Sequence, residues 1–212
     1  MMKTNLLKIP ILLLLILLLN ACTLATVRTI EEDRIAKEGF NPARYVSDIW
    51  ESEFLPTLEE NAIEITDLLS EIETDEDVTI EAYGNRTSTG PFSFMVRGEA
   101  EVLAINRESR VGLGELDLPP YDGEADVYLA IGPVLRGNAL RDSVGFIKFN
   151  DFTNQVEFAQ ISDALKERID ADVLGEINID ELAGETINFL GSLTYDDPEE
   201  IVIMPVRLEV TE

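Results

Sequence analysis

The sequence contains no histidine, and that absence restricts its chemistry. A Ser-His-Asp or Cys-His mechanism uses an imidazole to move a proton, so both classes of nucleophilic enzyme are excluded. A metal site built on imidazole is excluded for the same reason, and any bound metal would be a hard cation held by oxygen. We expect neither a metal nor a cofactor, and we assign no catalytic residue.

Cysteine and basic side chains are also scarce. A single cysteine allows no disulfide within the chain, so the fold must depend on its apolar core. The 16 Lys and Arg residues face 42 Asp and Glu residues, which gives a net charge of −26. Nucleic acids and anionic lipid surfaces bind through basic patches, so this balance excludes both as partners. The chain is long enough for one sizeable domain or two small ones.

One uninterrupted apolar stretch, Ile11 to Leu19, lies near the start of the chain. A membrane-spanning helix needs about 20 apolar residues, and this stretch is too short. Lys3 and Lys8 precede it, and the small residue Ala21 follows it. This order is typical of a secretory signal, so we predict that residues 1–21 are a signal peptide.

The end of that signal, Leu19-Asn20-Ala21-Cys22, resembles the lipobox that lipoprotein signal peptidase cleaves. The resemblance implies that Cys22 becomes the first residue and carries lipid, with diacylglycerol and palmitate as the anchor. Because a single acyl chain holds a protein only weakly, two or three chains would make the attachment stable. The mature protein would then be extracytoplasmic and membrane-anchored, with inner and outer membrane left open. The alternative is an ordinary signal peptide with a chance cysteine.

A spacer over 22–40 and a helical arm over 41–75 come next. Asn41-Pro42 is a typical helix start, and Pro56 predicts a break or kink. Apolar residues recur on one face of the arm at helical spacing. They are Val46, Ile49, Trp50, Phe54, Leu58, Ala62, Ile65, Leu69 and Ile72. We expect this stripe to pack on the rest of the domain, and a partner-binding surface is the alternative.

Beyond the arm, over 76–212, the pattern is that of strands separated by turns and short helices. Alternating apolar residues predict strands at 92–105, 111–118, 126–131, 145–149, 186–195 and 201–210. Helices are expected around 138–143 and 158–169. We predict a mostly β or α+β domain built as a small barrel.

Two central motifs resemble a known family. Gly132-Pro-Val-Leu-Arg-Gly and Phe149-Asn-Asp-Phe-Thr-Asn-Gln, with Phe40-Asn-Pro-Ala-Arg-Tyr-Val and the lipobox, resemble a bacterial family of predicted periplasmic lipoproteins of unknown function. The resemblance implies two tandem OB-like barrels that exchange their C-terminal strands, with the boundary between the two halves near 132–150. It also implies genes that often lie beside sugar ABC importers, which makes sugar ABC transporter components candidate partners. It supplies no catalytic residues.

The same segment supplies the candidate binding residues. They are Arg136, Arg141, Asp142, Asn150, Asp151, Asn154 and Gln155. Arginines bind carboxylate or phosphate in two-pronged contacts, and amides bind hydroxyl groups, so this set predicts a polar pocket for a sugar-like ligand. The alternative is internal support, with either arginine paired to Asp142 or Asp151 and the asparagines bonded to loop backbone. The nearby Phe146, Phe149, Phe152 and Phe158 are expected in the core, and a stacking platform for sugars is the alternative.

Two further motifs carry less weight. Asp170 to Glu181 resembles a calcium-binding EF-hand loop, but Leu174 stands where an oxygen ligand belongs and no exit helix follows. We therefore expect a connector that ends in a short helical piece at Ile179 to Leu182. Asn85-Arg-Thr87 is a glycosylation sequon, which has no meaning in ordinary bacterial export.

Three functions are compatible with these observations. The first is a non-enzymatic, lipid-anchored accessory or binding protein that assists a sugar importer. The second is a hydrolase of envelope glycans that uses two carboxylates. The third is a structural envelope protein whose function is a partner interface. Two facing carboxylates in a deep pocket would favour the second, and an exposed apolar patch near Trp50 would favour the third.

Overall fold

The computed structural model describes residues 39–198 and 200–211. The predicted signal peptide, the lipidation of Cys22 and nearly all of the spacer lie outside the described residues. The chain divides into two units, Met1–Asn41 and Pro42–Glu212, and every helix and strand named below belongs to the second.

The helical arm is a chain of short helices. They are α1 (Pro42–Ile49), a π-helical turn (Trp50–Phe54), α2 (Leu55–Asn61), α3 (Ile65–Thr74) and α4 (Glu76–Tyr83). The predicted start at Pro42 is confirmed, and the predicted irregularity falls in the π turn just before Pro56. Pro56 itself occupies the first turn of α2, where its missing N–H removes no helical hydrogen bond.

Six residues of the apolar stripe are buried, as expected from its spacing, and the other three, Ile49, Leu69 and Ile72, are half-buried. Phe54 and Leu58 are fully buried, and Trp50 stacks on Phe54 with ring centroids 4.9 Å apart. Ile65 packs against the barrel at Gly98. A Cβ atom added to that glycine would lie 2.9 Å from the Ile65 Cγ2 atom. The stripe therefore packs within the domain and is not an exposed partner surface.

The strands form one closed barrel. They are β1 (Ile63–Glu64), β2 (Phe92–Asn106), β3 (Leu113–Asp117), β4 (Val127–Ala130), β5 (Thr186–Tyr195) and β6 (Val202–Val210). The order β2-β3-β4-β6-β5 returns to β2, because β2 pairs with β5 along its first ten residues and with β3 near its end. The pairs within this ring are antiparallel except β4 with β6, and the short β1 adds to the edge of β2 in parallel.

The long strand β2 shows why the chain forms a barrel. Phe94, Val96, Ala100 and Val102 alternate along it and are fully buried, so one face of the strand points into the core. Gly98 takes the remaining inward position, where a Cβ atom would lie 3.2 Å from the Phe189 ring. The glycine allows α3 and β5 to approach β2 closely, just beyond the residues that pair with β1.

A helical region lies between the third and fourth strands of the ring. It comprises α5 (Ala139–Ser143), a 3-10 turn (Phe149–Asp151) and α6 (Gln155–Ile169), followed by a π turn (Asp170–Leu174) and a second 3-10 turn (Ile179–Glu181). Five strands in this order make an OB-type Greek-key barrel. The predicted α+β class and OB-like architecture are confirmed, as are the helices of this region.

Two expectations differ from the structure. The described residues form one barrel and not a tandem pair, since strands from both predicted halves join a single ring and β5 and β6 close it within their own chain. The segment Gly145 to Phe149 is no strand: Gly145 has φ of +70°, which an extended strand does not use, and Phe149 begins the 3-10 turn.

The EF-like segment is a connector, as its leucine indicated. Its first half continues α6 as the π turn, and Leu174 is buried there. Asp172 pairs with Arg168, with 3.2 Å between the Oδ2 and Nε atoms. The short helical piece begins at Ile179 as expected.

Candidate functional site

A large cleft opens beside α5 and has a volume of about 1310 Å³. Its lining comes from the loop before β2 (85–91), the segment 134–150, the start of α6, and the end of β5 with the loop that leads into β6. We call it the α5 cleft. Pockets for small molecules commonly have volumes of about 300 to 1,000 Å³, so this cleft is large enough to hold one.

A buried ion pair forms part of the cleft wall. The Arg141 side chain is 7% exposed and that of Asp142 is 15% exposed. Arg141 Nε donates to Asp142 Oδ1 at 2.8 Å, and a second guanidinium nitrogen donates to the Phe158 carbonyl oxygen at 3.2 Å. The guanidinium carbon also lies 3.8 Å from the centre of the Phe158 ring. Arg141 therefore joins α5 to α6, and this contact matches the alternative of internal support.

Asp142 also holds the loop before β2. Thr87 Oγ1 donates to Asp142 Oδ1 at 2.8 Å, and the Asn85 and Ser93 backbones bond to each other across the start of β2. A Cβ atom on Gly145 would lie 2.9 Å from the Asn85 side-chain oxygen, so the loop is in close contact with the end of the α5 segment. The sequon residues thus form one wall of the cleft.

Two of the predicted binding residues accept hydrogen bonds from backbone amides. Asn154 Oδ1 accepts hydrogen bonds from the Val156 and Glu157 amides and caps α6, and Asp151 Oδ2 accepts from the Lys148 amide. Neither Asn154 nor Asp151 lines the cleft. Their roles match the alternative of internal support.

Other predicted residues do line the cleft and have polar groups to offer. Gln155 and Asn150 are exposed, and their side-chain amides make no hydrogen bond within the described part of the chain. Asn138 shares these properties. Phe149 was expected in the core, but it is 45% exposed and lines the cleft. Its ring is held edge-on against Phe158, with centroids 5.6 Å apart.

The basic residues of the cleft fall into two groups. Arg141 is paired, whereas Arg136 and Lys148 are exposed and make no ion pair with any described residue. Arg86 also lines the cleft without an ion pair, and its guanidinium lies 4.3 Å from the centre of the Phe92 ring. The structure thus separates Arg136 and Arg141, which the sequence had placed in one set.

Sequence reasoning missed Arg86 and Lys148, and it preferred a core position for Phe149. Lys148 directly precedes Phe149 and the predicted residue Asn150, so proximity was an available signal. Arg86 lies far from these residues in the sequence, and contacts such as that of Thr87 with Asp142 bring its loop to the cleft.

A second, smaller depression of about 350 Å³ lies where α2 and β1 meet β2, β5 and β6. We call it the ion-paired groove. Arg97 Nε donates to Glu64 Oε1 at 3.0 Å, and another Arg97 nitrogen donates to the Glu59 carbonyl oxygen at 3.3 Å. Arg207 pairs with the Glu59 carboxylate. Both arginines are therefore occupied by acidic neighbours.

Within residues 39–198 and 200–211, no group of three or more acidic or cysteine side chains is placed to hold a metal ion. No helix in that same part is long and apolar enough to cross a membrane.

Comparisons with known proteins agree with the fold. A family model described as "Predicted periplasmic lipoprotein (DUF2291)" matches residues 12–209. The crystal structure of an OB-fold protein from Thermotoga maritima is similar, with a TM-score of 0.66 and 17% sequence identity, over 82% of this chain and 99% of that chain. At this identity the likeness concerns the fold alone. No curated protein matches the sequence.

Proposed function

We propose, from the premise that the chain belongs to that family of predicted periplasmic lipoproteins, that it is a binding protein whose α5 cleft holds a small sugar-like ligand. The protein is extracytoplasmic and membrane-anchored. Within this proposal it has no enzymatic activity, and it assists a sugar ABC importer by holding ligand at the membrane.

The observation that carries the proposal is the mixture of groups in the cleft. Sugars present hydroxyl groups at their edges and C–H groups on their faces, so their sites combine amides and charged groups with an exposed ring. The amides of Asn138, Asn150 and Gln155 and the half-exposed ring of Phe149 provide that combination. The acidic residues of the β5–β6 loop, including Asp196 and Glu200, add acceptors for hydroxyl groups.

The ring of Phe149 gives the direct test. Full-length protein in detergent would be titrated calorimetrically with a panel of neutral monosaccharides, and Phe149→Ala is expected to weaken binding about tenfold. Tyr83→Ala is the matched control, since Tyr83 is 39% exposed and does not line the cleft. If no monosaccharide binds, or if both variants bind equally well, the cleft is not a sugar site.

The anchor requires its own test. We infer that Cys22 carries diacylglycerol and palmitate after cleavage of a signal peptide at residues 1–21. Cells labelled with radioactive palmitate are expected to label the wild-type protein and not Cys22→Ser, and the variant should keep its uncleaved leader. Equal labelling of both proteins would contradict the assignment of Cys22.

The partner is the remaining part of the proposal. Crosslinking of the anchored protein in cells, followed by mass spectrometry, is expected to recover subunits of a sugar transporter or its binding protein. Recovery of only glycan or envelope structural proteins would contradict a role in import.

A further inference from the structure

Most basic side chains in the described part of the chain make ion pairs, and three of the four that make none line the same cleft. In residues 39–198 and 200–211, seven Arg and Lys side chains make ion pairs. Four in the same part of the chain make none, and they are Arg86, Arg110, Arg136 and Lys148. All of these except Arg110 line the α5 cleft.

This gathering runs against the composition of the chain. With 42 acidic residues against 16 basic ones, an exposed cation has many possible carboxylate neighbours. Arg136 and Lys148 are nevertheless exposed and make no ion pair with a described residue. No described side chain neutralises either charge, so both can pair with a bound anion.

The charges of the cleft are also separated by element. The free cations come from the loop before β2 and from the segment 134–150, whereas Asp196 and Glu200 come from the β5–β6 loop. A ligand that is charged at one end and hydroxylated at the other matches this division. Its anionic end would meet the cations, and its hydroxyl groups would donate to the carboxylates.

We infer that the ligand of the α5 cleft is an acidic sugar, with a carboxylate or phosphate group bound by Arg136 and Lys148. Arg86 also lines the cleft, from the loop before β2 that Thr87 and Asp142 hold in place. This inference rests on the proposed sugar-binding function and narrows it to one class of ligand.

The test compares matched neutral and acidic probes. Full-length protein in detergent would be titrated with glucose, glucuronate and glucose 6-phosphate, and with inorganic phosphate as the bare anion. We expect the acidic sugars to bind about tenfold or more tightly than glucose, because a hydrogen bond to a charged group is stronger than a neutral one. Added salt is expected to weaken binding of the acidic sugars only.

Two variants connect that preference to the residues. The double variant Arg136→Ala and Lys148→Ala is expected to bind the acidic sugars no more tightly than it binds glucose. Arg110→Ala removes the free cation outside the cleft and is expected to bind like the wild type. The tighter of the two acidic probes identifies the anionic group as carboxylate or phosphate.

The outcomes separate this inference from the function on which it rests. If glucose binds and depends on Phe149 but the acidic sugars bind no better, the inference fails and the sugar site stands. If none of the sugars binds, both fail. Inorganic phosphate that binds as tightly as glucose 6-phosphate would also overturn the inference, because the sugar would then contribute nothing.

Discussion

The α5 cleft and the ion-paired groove place similar basic residues in opposite situations. In the groove, Arg97 and Arg207 are each held by a glutamate that a neighbouring element supplies. In the cleft, Arg136 and Lys148 have no such neighbour. In a chain of net charge −26, ion pairs between arginines and carboxylates are expected, so such a pair says little about function. A cation that makes no ion pair is the better indication of a binding site.

Breaking the buried pair of the cleft should have the largest effect. Arg141→Met keeps an unbranched apolar stem but removes the donor that Arg141 supplies to Asp142 and to the Phe158 carbonyl oxygen. Because the pair is mostly buried, we expect a loss of about 3 to 5 kcal/mol in the free energy of unfolding, measured by urea denaturation. Adding Asp142→Asn should recover part of this loss, since the uncompensated charge is removed. A loss below about 1 kcal/mol would show that Arg141 does not support the wall.

The groove should respond much less. Arg207→Ala removes a pair whose side chains are 44% and 45% exposed. Solvent screens such a pair, so we expect a loss of up to about 1 kcal/mol in the same measurement, and a smaller one at high salt. A loss as large as that of Arg141→Met would contradict the distinction between the two regions.

The free cations should contribute least to stability. Arg136→Ala is expected to change the free energy of unfolding by less than about 0.5 kcal/mol, because the side chain is exposed and makes no ion pair with described residues. Arg110→Ala serves as the control and should behave alike. Strong destabilisation by Arg136→Ala alone would assign Arg136 a supporting role and remove it from recognition.

Tyr121 makes a third kind of polar contact, and its small effect on stability should appear only at alkaline pH. Partial burial, the hydrogen bond to Glu99 and nearby carboxylates raise the pKa of Tyr121 to about 12. The unfolded chain loses this proton near pH 10, so the folded state binds it more tightly. The stability from this contact is present below pH 10 and is lost as the pH rises towards 12. Tyr121→Phe should flatten that decline slightly in unfolding curves measured across this range, and an unchanged slope would contradict the raised pKa.

The positions of most strands and helices were predictable from the sequence, but the closure of the barrel was not. Alternation along Phe92 to Ile105 and the late strands predicted the correct positions, because burial on one face leaves a period of two. Pairing of β2 with β5 joins distant parts of the chain, and no local pattern encodes it. The expected strand at Gly145 failed because its apolar residues pack in an irregular turn.

The candidate site was predictable as a region and not as a set of roles. Arg136 and Arg141 look equivalent in the sequence, and the difference arises because α6 brings the Phe158 carbonyl and ring to Arg141 alone. Asn154 and Asp151 resemble ligand-binding residues but satisfy backbone amides at helical ends. Arg86 could be found only in three dimensions.

The closure of the barrel has a consequence for how the chain is made. Since β5 and β6 complete the ring and follow the other strands in chain order, β2 and β4 lack these partners until residues 186–210 are available. Pairings between distant segments form slowly, so we expect the barrel to close late in folding. A chain truncated before Val202 would lack β6, so it would expose open strand edges to envelope proteases.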